Sequence, residues 1–467
     1  MGLRTSEQYR DGLRDGRRVI YRGQAVKDVT SFPPFEAAVD HSAICYDIAA
    51  SHPDIAIARE GGTQYAAFYA VPRSAQELAG RGRLIQAVSA LGAGMITLKE
   101  VGSDALFALL KTLSGEERER AVAFWQHCRD HDVALAVAQT DVKGNRVLPP
   151  HAQADPDLYL HVVGEDADSI TVRGAKAHTS FSANADELII LPTRAMGPQD
   201  SAYAVSFAIP VDTPGLTLYV SPFSDGNRNA SDFPISARHK MLESLTVFED
   251  VRVPKERVFL HGHPEQAGEL ALAFAGYHRF TAVNYKLPLL DLIVGCAFAV
   301  AEANGIAEAG HVRDKLAELI AYAETVRGLA ELAAIRSYPG DHGIQQPDPL
   351  TVNLAKYHFA HGYHAAVGRL QDLAGGLLVT GPGAEDWDNP AVAEVLGKYL
   401  AAAVPGRRRY GVLSLVADLT VRDYGGYQTV LATHAEGSLE AEKLQIRRSY
   451  DPAGARLAVA GILDAAR

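Results

Sequence analysis

The sequence predicts an α+β protein in which helices and strands are segregated along the chain instead of alternating. Hydrophobic residues recur at helical spacing in residues 1–130, in short strand-like runs in residues 131–265, and again at helical spacing in residues 266–467. A chain of 467 residues also exceeds what a single hydrophobic core usually supports. We therefore predict an N-terminal helical domain, a central β domain and a C-terminal bundle of the four-helix type, with those boundaries.

The helical character of the N-terminal domain is indicated by a start signal and by periodicity. Ser74 and Glu77 form a capping-box pattern ahead of a long amphipathic stretch. Leucines then recur at helical spacing, at Leu106, Leu109, Leu110 and Leu113.

The central domain is indicated by short β-prone runs that are separated by Gly, Asp, Asn and Pro. These runs are residues 158–163, 169–172, 188–191, 204–209, 216–220 and 245–248. Such spacing is typical of a compact, mostly antiparallel sheet.

The C-terminal domain is indicated by apolar residues on one helix face, namely Leu316, Leu319, Ile320 and Ala323. The most apolar stretch, residues 287–301, is shorter than the roughly 20 residues that cross a bilayer. We therefore predict a buried bundle helix there and no membrane partner.

Composition excludes several classes of protein. The formal net charge of −11 disfavours nucleic acid as a partner, because phosphate binding needs clustered Lys and Arg. Cys45, Cys128 and Cys296 are far apart and match no disulfide or metal-binding spacing, which predicts a cytoplasmic protein without a metal site. Residues 1–18 are too polar for a secretion signal. The Rossmann and P-loop glycine motifs are also missing from the sequence.

Two polar segments of the β domain are candidates for ligand contacts. Residues 139–146 read Gln-Thr-Asp-Val-Lys-Gly-Asn-Arg, a turn that can bind the polar edge of a flavin ring but is equally typical of a surface hairpin. Residues 174–180 follow a predicted strand. Hydroxyl groups there can hydrogen bond to flavin N5, although the segment also fits an ordinary turn.

Two helical segments are further candidates. Gly375 and Gly376 stand near Gln371, and a glycine pair lets the backbone approach either a flat or phosphorylated ligand or a neighbouring helix. His278 is followed seven and eight residues later by Tyr285 and Lys286, and a helix places residues seven apart on one face. Such a histidine is either catalytic or structural.

These segments, in this order, resemble the 4-hydroxyphenylacetate 3-hydroxylase and 4-hydroxybutyryl-CoA dehydratase family, which has the acyl-CoA dehydrogenase fold. The resemblance covers nearly the whole chain and is also carried by residues 4–14, 26–30, 154–160, 247–259 and 371–382. It implies FAD as cofactor and a homo-oligomer, either a tetramer or a dimer of dimers. In this family the glycine-pair segment reaches the FAD of a neighbouring subunit. The residues at the family's cofactor contacts are Gln139, Thr140, Asp141, Lys143, Arg146, Thr179, Ser180, Gln371, Gly375 and Gly376.

The sequence departs from the dehydratases of this family, which hold a [4Fe–4S] cluster through three cysteines and a histidine. The cysteine positions fall on Ile96, Glu100 and Tyr285, and the histidine position falls on His278. Because such a cluster needs thiolate ligands, the comparison implies FAD without an iron–sulfur cluster. A glutamate that serves as a base in the dehydratases falls on Leu431.

The sequence departs from the phenol hydroxylases as well. Their Arg-x3-Tyr pair, which orients the phenol, falls near Val101 and Ala105, and residues 135–140 lack their histidine. The amino-acid sequences of residues 140–146 and 434–438 are more similar to those of the dehydratases than to those of the phenol hydroxylases. The resemblance thus implies a flavin scaffold with a rebuilt substrate pocket.

Three functions stay open. The first is the oxygenase component of a two-component monooxygenase, which takes reduced FAD from a flavin reductase and oxygenates a small organic or carrier-bound substrate. The second is a cluster-free flavin-dependent dehydratase, isomerase or dehydrogenase that acts on an acyl thioester, with Glu243, Glu100 or Lys286 as the base. The third is a flavin-fold protein without activity. The candidate catalytic residues are His278, Lys286, Tyr285 and Glu243.

Overall fold

The computed structural model describes residues 2–223 and 228–465 and confirms the predicted α+β class. The first region is mainly helical, with helices α1 (Ser6–Gly12), α2 (Pro33–Ser51), α3 (Pro53–Ala56), α4 (Ala75–Leu91), α5 (Leu98–Thr112) and α6 (Gly115–His131). It also contains short strands that the sequence pattern did not reveal: β1 (Val19–Tyr21), β2 (Gln24–Val26), β3 (Ile57–Glu60) and β4 (Thr63–Ala66). Runs of three or four residues are too short to show the alternation of apolar and polar residues that indicates a strand.

Capping side chains determine where α4 and α5 begin. Ser74 caps α4 by accepting a hydrogen bond of 3.2 Å from Glu77 N, whereas the Glu77 carboxylate accepts from Arg73 N. Thr97 and Glu100 form a capping box at the start of α5, and the Thr97 hydroxyl donates to Glu100 Oε2 at 2.6 Å. Glu100 is thus a buried helix cap.

The central region contains the strands β5 (Leu135–Ala138), β6 (His161–Glu165), β7 (Ser169–Ser180), β8 (Glu187–Ile190), β9 (Val205–Pro210), β10 (Leu216–Val220), β11 (Glu243–Pro254) and β12 (Val258–His261). Each predicted run overlaps one of the strands β6 to β11. Within the described residues one sheet has the order β2-β1-β10-β11-β7-β6 and another has the order β12-β9-β8-β5. Pairing is mostly antiparallel, as predicted, but β1 and β10 are parallel, and so are β5 and β8.

Strand β7 corrects the interpretation of residues 174–180, which are not a turn but the second half of this strand. Gly174, at φ +132°, lets the strand pass close to its neighbour, because a Cβ atom there would lie 2.7 Å from the Cα atom of Leu160. The register with β11 pairs Ser180 with Glu243. This pairing places Ser180, at the hydroxyl-rich end of β7, beside the carboxylate of Glu243.

The last region is helical, with α7 (Pro264–Asn304), α8 (Gly310–Ile335), α9 (Pro349–Ala374), α10 (Leu377–Thr380), α11 (Ala384–Asp388), α12 (Pro390–Tyr399), α13 (Gly406–Thr420), α14 (Asp423–His434), α15 (Leu439–Ser449) and α16 (Ala453–Ala465). A two-stranded hairpin, β13 (Tyr338–Pro339) and β14 (Gln345–Gln346), lies between α8 and α9. The apolar face predicted for α8 is largely buried, although Ile320 is 40% exposed.

Helix α7 contains the apolar stretch 287–301 and packs against α4, α5, α8, α9 and α13. By length and composition α7 is apolar enough to cross a membrane, but half of its most apolar window is buried inside the protein. This burial is what the core helix of a soluble protein shows. The domain boundaries at residues 130 and 265 remain predictions, since β1 pairs with β10 of the central sheet and α7 contacts helices of the first region.

Candidate active site

Helix α7 contributes to a buried ion cluster in the helical region. Lys286 Nζ lies 2.6 Å from Glu436 Oε2, and the Tyr285 hydroxyl donates a hydrogen bond of 2.5 Å to Glu436 Oε1. Lys356 Nζ on α9 lies 3.7 Å from the Glu436 carboxylate and 3.4 Å from Glu442 Oε1 on α15. Two lysines thus face two glutamates, and this balance permits four charged side chains to be buried together.

These charges set the protonation states of the cluster. Burial alone would raise the pKa of Glu436, but Lys286, Lys356 and His278 lower it to about 2. Burial lowers the pKa of Lys286 to about 8, although Glu436 opposes this shift. Burial, reinforced by Glu436, raises the pKa of Tyr285 well above its ordinary value. At neutral pH the carboxylate of Glu436 is therefore ionised and the phenol of Tyr285 keeps its proton. The pKa of Lys286, about 8, lies close to neutral pH.

The loop between α14 and α15 holds Glu436 in a fixed orientation. Glu436 has a left-handed backbone with φ +57°, and a Cβ atom on the next residue, Gly437, would lie 2.6 Å from Arg279 Nη2. Arg279 Nε donates to the carbonyl oxygen of Glu436 at 3.0 Å, and its Nη1 donates to Asn353 Oδ1 at 2.8 Å. The carboxylate is therefore preorganised by a buried arginine.

A second carboxylate, Glu243, lies partly buried at the start of β11. Ser180 Oγ donates to its oxygens at 2.9 Å, and the Tyr427 hydroxyl on α14 donates at 2.5 Å. Burial raises the pKa of Glu243, and these two donors only partly oppose the shift. Glu436 also contributes to the raised pKa of Tyr427, after burial and Glu243. Both carboxylates thus act on the pKa of Tyr427, which hydrogen bonds to Glu243.

The polar segment after β5 is attached to β7 by a buried ion pair. Asp141 Oδ1 lies 2.8 Å from Lys176 Nζ, which also donates to the carbonyl oxygens of Gln139 and Leu191. Thr140 O accepts a hydrogen bond of 2.8 Å from Ala177 N. The segment is thus an ordered wall beside the second half of β7. The Asp141 side chain therefore holds this wall together.

Thr179 supplies a polar atom that this wall does not use. Its hydroxyl is buried and has no hydrogen-bond partner within the described residues. A buried hydroxyl without a partner costs free energy on the order of 1–3 kcal/mol, which a ligand can recover. Ser180 next to it is engaged with Glu243.

His278 faces Asp104 rather than a carboxylate of the cluster. Its Nδ1 lies 3.1 Å from Asp104 Oδ2, and its ring stacks on Phe274. Asp104 is buried and also accepts hydrogen bonds from Arg81 and Thr281. His278 nevertheless lies close enough to lower the pKa of Glu436. The helix therefore places Tyr285 and Lys286 at Glu436 and His278 at Asp104.

The remaining predicted residues are more exposed. Lys143 is half-buried and Arg146 is exposed, and both follow Asp141 in the same segment. Gln371 Nε2 donates to the carbonyl oxygen of Thr420 at 3.2 Å. Gly375 and Gly376 are exposed at the end of α9 with open space beside them. Contact of this segment with a neighbouring subunit remains a prediction.

A groove of about 470 Å³ lies between α8 and α9, and its lining includes Glu318, Tyr322, His358 and Arg369. None of the predicted site residues lines this groove. Among the residues that the structure describes, no group of three or more His, Cys, Asp or Glu side chains is arranged to hold a metal ion.

The sequence analysis missed two central residues, Glu436 and Tyr427. It assigned the glutamate of the dehydratases to Leu431, on α14, and passed over the acid of the His-Ala-Glu-Gly-Ser segment. Gly437 was the available signal, because a glycine after an acidic residue at a helix end indicates a tight loop that can hold that acid in place. Tyr427 had no local signal, since its partner is 184 residues away in sequence.

A helical region, two central sheets and a helical bundle, with buried acids at their junction, define an enzyme with the acyl-CoA dehydrogenase-like fold. Residues 5–260 match the family described as 4-hydroxyphenylacetate 3-hydroxylase N terminal, and residues 267–464 match its C terminal. The chain therefore belongs to the 4-hydroxyphenylacetate 3-hydroxylase family.

Two relatives represent the two chemistries of this family. The chain is 30% identical to 4-hydroxybutyryl-CoA dehydratase/vinylacetyl-CoA-Delta-isomerase from Clostridium aminobutyricum, over 96% of both chains. It is 28% identical to the oxygenase component of 4-hydroxyphenylacetate 3-monooxygenase from Thermus thermophilus, over 91% of this chain and 90% of the relative. A crystal structure of such an oxygenase component complexed with FAD superposes with a TM-score of 0.91 at 25% identity, over 99% of both chains.

These comparisons confirm the predicted family and fold, and they confirm a FAD-dependent oxidoreductase. The described residues fit this cofactor in one specific respect. The partnerless hydroxyl of Thr179 lies on the strand that the resemblance places at the flavin, next to the ordered segment that begins at Gln139. A flavin edge at this wall would satisfy that hydroxyl.

Proposed function

We propose that the protein is the oxygenase component of a two-component monooxygenase, which uses FAD reduced by a separate flavin reductase to oxygenate a small organic or carrier-bound substrate. The observation that carries this proposal is the buried Thr179 hydroxyl, which has no partner in the described chain and adjoins the Ser180–Glu243–Tyr427 network. Bound FAD would supply the reaction of a reduced flavin with O2. The relative from Thermus thermophilus is named as an oxygenase component, which supports this choice.

The chain would hold FAD along the wall that begins at Gln139. Thr179 and Ser180 would hydrogen bond to the flavin ring, and the backbone of residues 139–141 would bind its polar edge. Gln371, Gly375 and Gly376 would contribute from a neighbouring subunit of a tetramer or dimer of dimers. The buried surroundings would exclude water from the reacting groups.

Protons would be handled by the two carboxylate sites. Lys286, with a pKa of about 8, would exchange a proton with a substrate hydroxyl, while Glu436 stabilises its charged form. Tyr285 would orient the substrate through its hydroxyl. Glu243, whose pKa is raised by burial, would donate or accept a proton beside Thr179 and Ser180.

A cytoplasmic location forms part of this proposal. The three cysteines are buried free thiols, as expected in a reducing compartment.

A single-turnover reaction tests the proposal. The protein is loaded with FAD, reduced without oxygen, and mixed with ¹⁸O₂ and a panel of phenolic acids, both free and as CoA thioesters. We expect ¹⁸O in one class of product, and slower product formation by Glu243→Gln. The exposed control Glu249→Gln, on the same strand, should match the unmodified protein. Reoxidation that gives only hydrogen peroxide across the panel would contradict the proposal.

A second candidate is a cluster-free dehydratase, isomerase or dehydrogenase that acts on an acyl thioester. The relative from Clostridium aminobutyricum and the position of Glu436 between Lys286 and Lys356 favour it. Incubation of the oxidised FAD protein with 4-hydroxybutyryl-CoA, without O2 or reductant, separates the two candidates. Anaerobic conversion would support this second function over the first.

A further inference from the structure

A buried carboxylate, Asp104 on α5, faces the ring of His278 on α7. Asp104 Oδ2 lies 3.1 Å from His278 Nδ1. The other oxygen, Oδ1, accepts hydrogen bonds from Arg81 Nη2 at 2.7 Å and from Thr281 Oγ1 at 2.8 Å. The two oxygens of this carboxylate therefore have different partners, since Oδ1 has two fixed donors and Oδ2 is left for the imidazole.

Arg81 fixes the position and balances the charge of Asp104. Its guanidinium also donates to the carbonyl oxygens of Phe68 at 3.1 Å and Glu100 at 3.2 Å, and to Ser103 Oγ at 2.9 Å. A buried carboxylate needs a cation beside it, and Arg81 supplies that cation at 2.7 Å. Charge balance at Asp104 is therefore met without a proton on both nitrogens of the neighbouring imidazole.

The carboxylate also determines which nitrogen of His278 carries the proton. A neutral imidazole has one N–H donor and one acceptor nitrogen, whereas an ionised carboxylate only accepts. Nδ1, which faces Asp104, must therefore be the donor, and Nε2 is left as the acceptor. Nε2 has no hydrogen-bond partner within the described residues, yet it is not among their buried partnerless atoms. A ligand can therefore reach this nitrogen.

The same stretch of α7 contacts the loop that carries Glu436. Arg279, next to His278, donates from Nε to the carbonyl oxygen of Glu436 at 3.0 Å. The carboxylate of the same glutamate binds Tyr285 and Lys286. His278 and Tyr285 are seven residues apart, which places them on one face of the helix. The acceptor nitrogen of His278 is therefore on the face of α7 that carries a candidate catalytic residue.

We propose that Asp104 is a positioning residue that fixes His278 in the tautomer with its proton on Nδ1, so that Nε2 accepts a hydrogen bond from a substrate hydroxyl. A carboxylate that orients a histidine in this way recurs in unrelated enzymes. The role of Nε2 toward a substrate rests on the proposed function, and it fits the hydroxyl of a phenol or a hydroxy acid. The tautomer itself rests on the contacts of Asp104 alone.

Solid-state NMR of the FAD-loaded protein, labelled with ¹⁵N-histidine, reads the tautomer directly. A ring nitrogen that carries a proton has a different ¹⁵N shift from one that does not, and the His278 signals are assigned by their loss in H278Q. Spectra are taken at about pH 8.5, where an ordinary histidine is neutral. The test variant is D104N. The matched control is D200N, which alters the analogous contact of Asp200 with His151 at 2.6 Å.

In the unmodified protein we expect the proton of His278 on Nδ1. In D104N the amide oxygen should stay at the Oδ1 position, where Arg81 and Thr281 donate, so its NH2 group must face the imidazole. Because an NH2 group only donates, Nδ1 becomes the acceptor and the proton moves to Nε2. D200N should leave the His278 signals unchanged. A proton on Nε2 in the unmodified protein, or an unchanged tautomer in D104N, would overturn the proposal.

A second variant keeps the test open if D104N does not fold. Thr281→Val removes one donor to Oδ1 but keeps the carboxylate that faces His278. The proton should therefore stay on Nδ1 in this variant, as in the unmodified protein. A shift of the proton to Nε2 in Thr281→Val would contradict the assignment to Asp104.

Turnover tests the role of Nε2 separately from the tautomer. With a substrate that the unmodified protein converts, D104N should lower kcat about tenfold or more, the size of one hydrogen bond. The dissociation constant of FAD should stay within about twofold, because His278 is not placed at the cofactor. A reversed tautomer with unchanged kcat would overturn the role of Nε2. The tautomer result holds whether or not the protein oxygenates a substrate.

Discussion

Glu436 and Glu243 both act on the pKa of Tyr427, yet their own environments shift their pKa values in opposite directions. Glu436 faces Lys286 and Lys356, and these cations overcome the effect of burial, so that its pKa falls to about 2. Glu243 receives hydrogen bonds from the hydroxyls of Ser180 and Tyr427, and burial prevails, so that its pKa rises. The pKa of the same type of side chain is therefore lowered at one site and raised at the other.

The opposite pKa shifts indicate that the two carboxylates have different roles. Pairs of titratable groups whose environments separate their pKa values commonly mark the acid and the base of an enzyme. Here the carboxylate with the lowered pKa lies on the loop between α14 and α15, and the carboxylate with the raised pKa lies on β11, which pairs with the strand that carries Thr179.

The largest effect is expected from Glu436→Gln, which leaves Lys286 without the carboxylate that compensates its buried charge. We expect the free energy of unfolding to fall by about 3–5 kcal/mol, as for other broken buried ion pairs. Chemical denaturation measures this change. Glu440→Gln, which removes an exposed partner of Lys443, should change stability by less than about 1 kcal/mol. Equal effects of the two substitutions would contradict a buried ion cluster.

The contribution of Glu436 should also depend on pH. Its folded pKa is about 2 and its ordinary value is 4.5, so its stabilising contribution is present above pH 4.5 and is lost as the pH falls toward 2. The difference in stability between the unmodified protein and Glu436→Gln should shrink over that window. Denaturation curves at several pH values measure it, and a constant difference would show that Glu436 is not paired as described.

Glu243→Gln should affect activity more than stability. Loss of a general acid or base lowers turnover by about 100-fold or more. Stability at neutral pH should change by less than about 1 kcal/mol. The pKa of Glu243 is raised in the folded protein, so its ionisation lowers the folding stability as the pH rises through that pKa, whereas Gln does not ionise. The oxygenation assay and denaturation at pH 7 measure the two effects. A large loss of stability with normal turnover would assign Glu243 a structural role.

Tyr427→Phe should sharpen the contrast by removing one donor to Glu243. The substitution should cost about 1 kcal/mol of stability, as for one hydrogen bond. Because the Tyr427 hydroxyl lowers the pKa of Glu243, its loss should move the corresponding limb of the pH–rate profile to higher pH. Tyr450→Phe, at an exposed tyrosine, is the control. An unmoved profile would separate Glu243 from the rate-limiting proton transfer.

The smallest effect is expected from Thr179→Val, which keeps the shape of the side chain and removes its hydroxyl. Stability without FAD should stay the same or rise by up to about 1 kcal/mol, because the substitution removes a buried hydroxyl that has no partner in the described chain. FAD should bind about fivefold more weakly, the size of one neutral hydrogen bond. Flavin fluorescence measures this affinity, with Thr171→Val on the same strand as control. Unchanged FAD affinity would place the flavin elsewhere.

The sequence by itself determined the fold class, the order of regions and the family. Helical and strand periodicities are local, and each predicted β run overlaps a strand because alternating apolar residues need no distant partner. The spacing of His278, Tyr285 and Lys286 likewise required only a helix. Strands β1–β4 escaped this reasoning, because they are short and β1 is held by pairing with β10, about 200 residues later.

The tertiary structure decided which groups form the site. Glu436 meets Lys286 across 150 residues, and Tyr427 meets Glu243 across 184, and no local pattern encodes such contacts. The pKa contrast between the two carboxylates depends on these partners and on burial. Sequence could identify the helix that carries Tyr285 and Lys286, whereas only the tertiary contacts showed which carboxylate has a lowered pKa and which has a raised pKa.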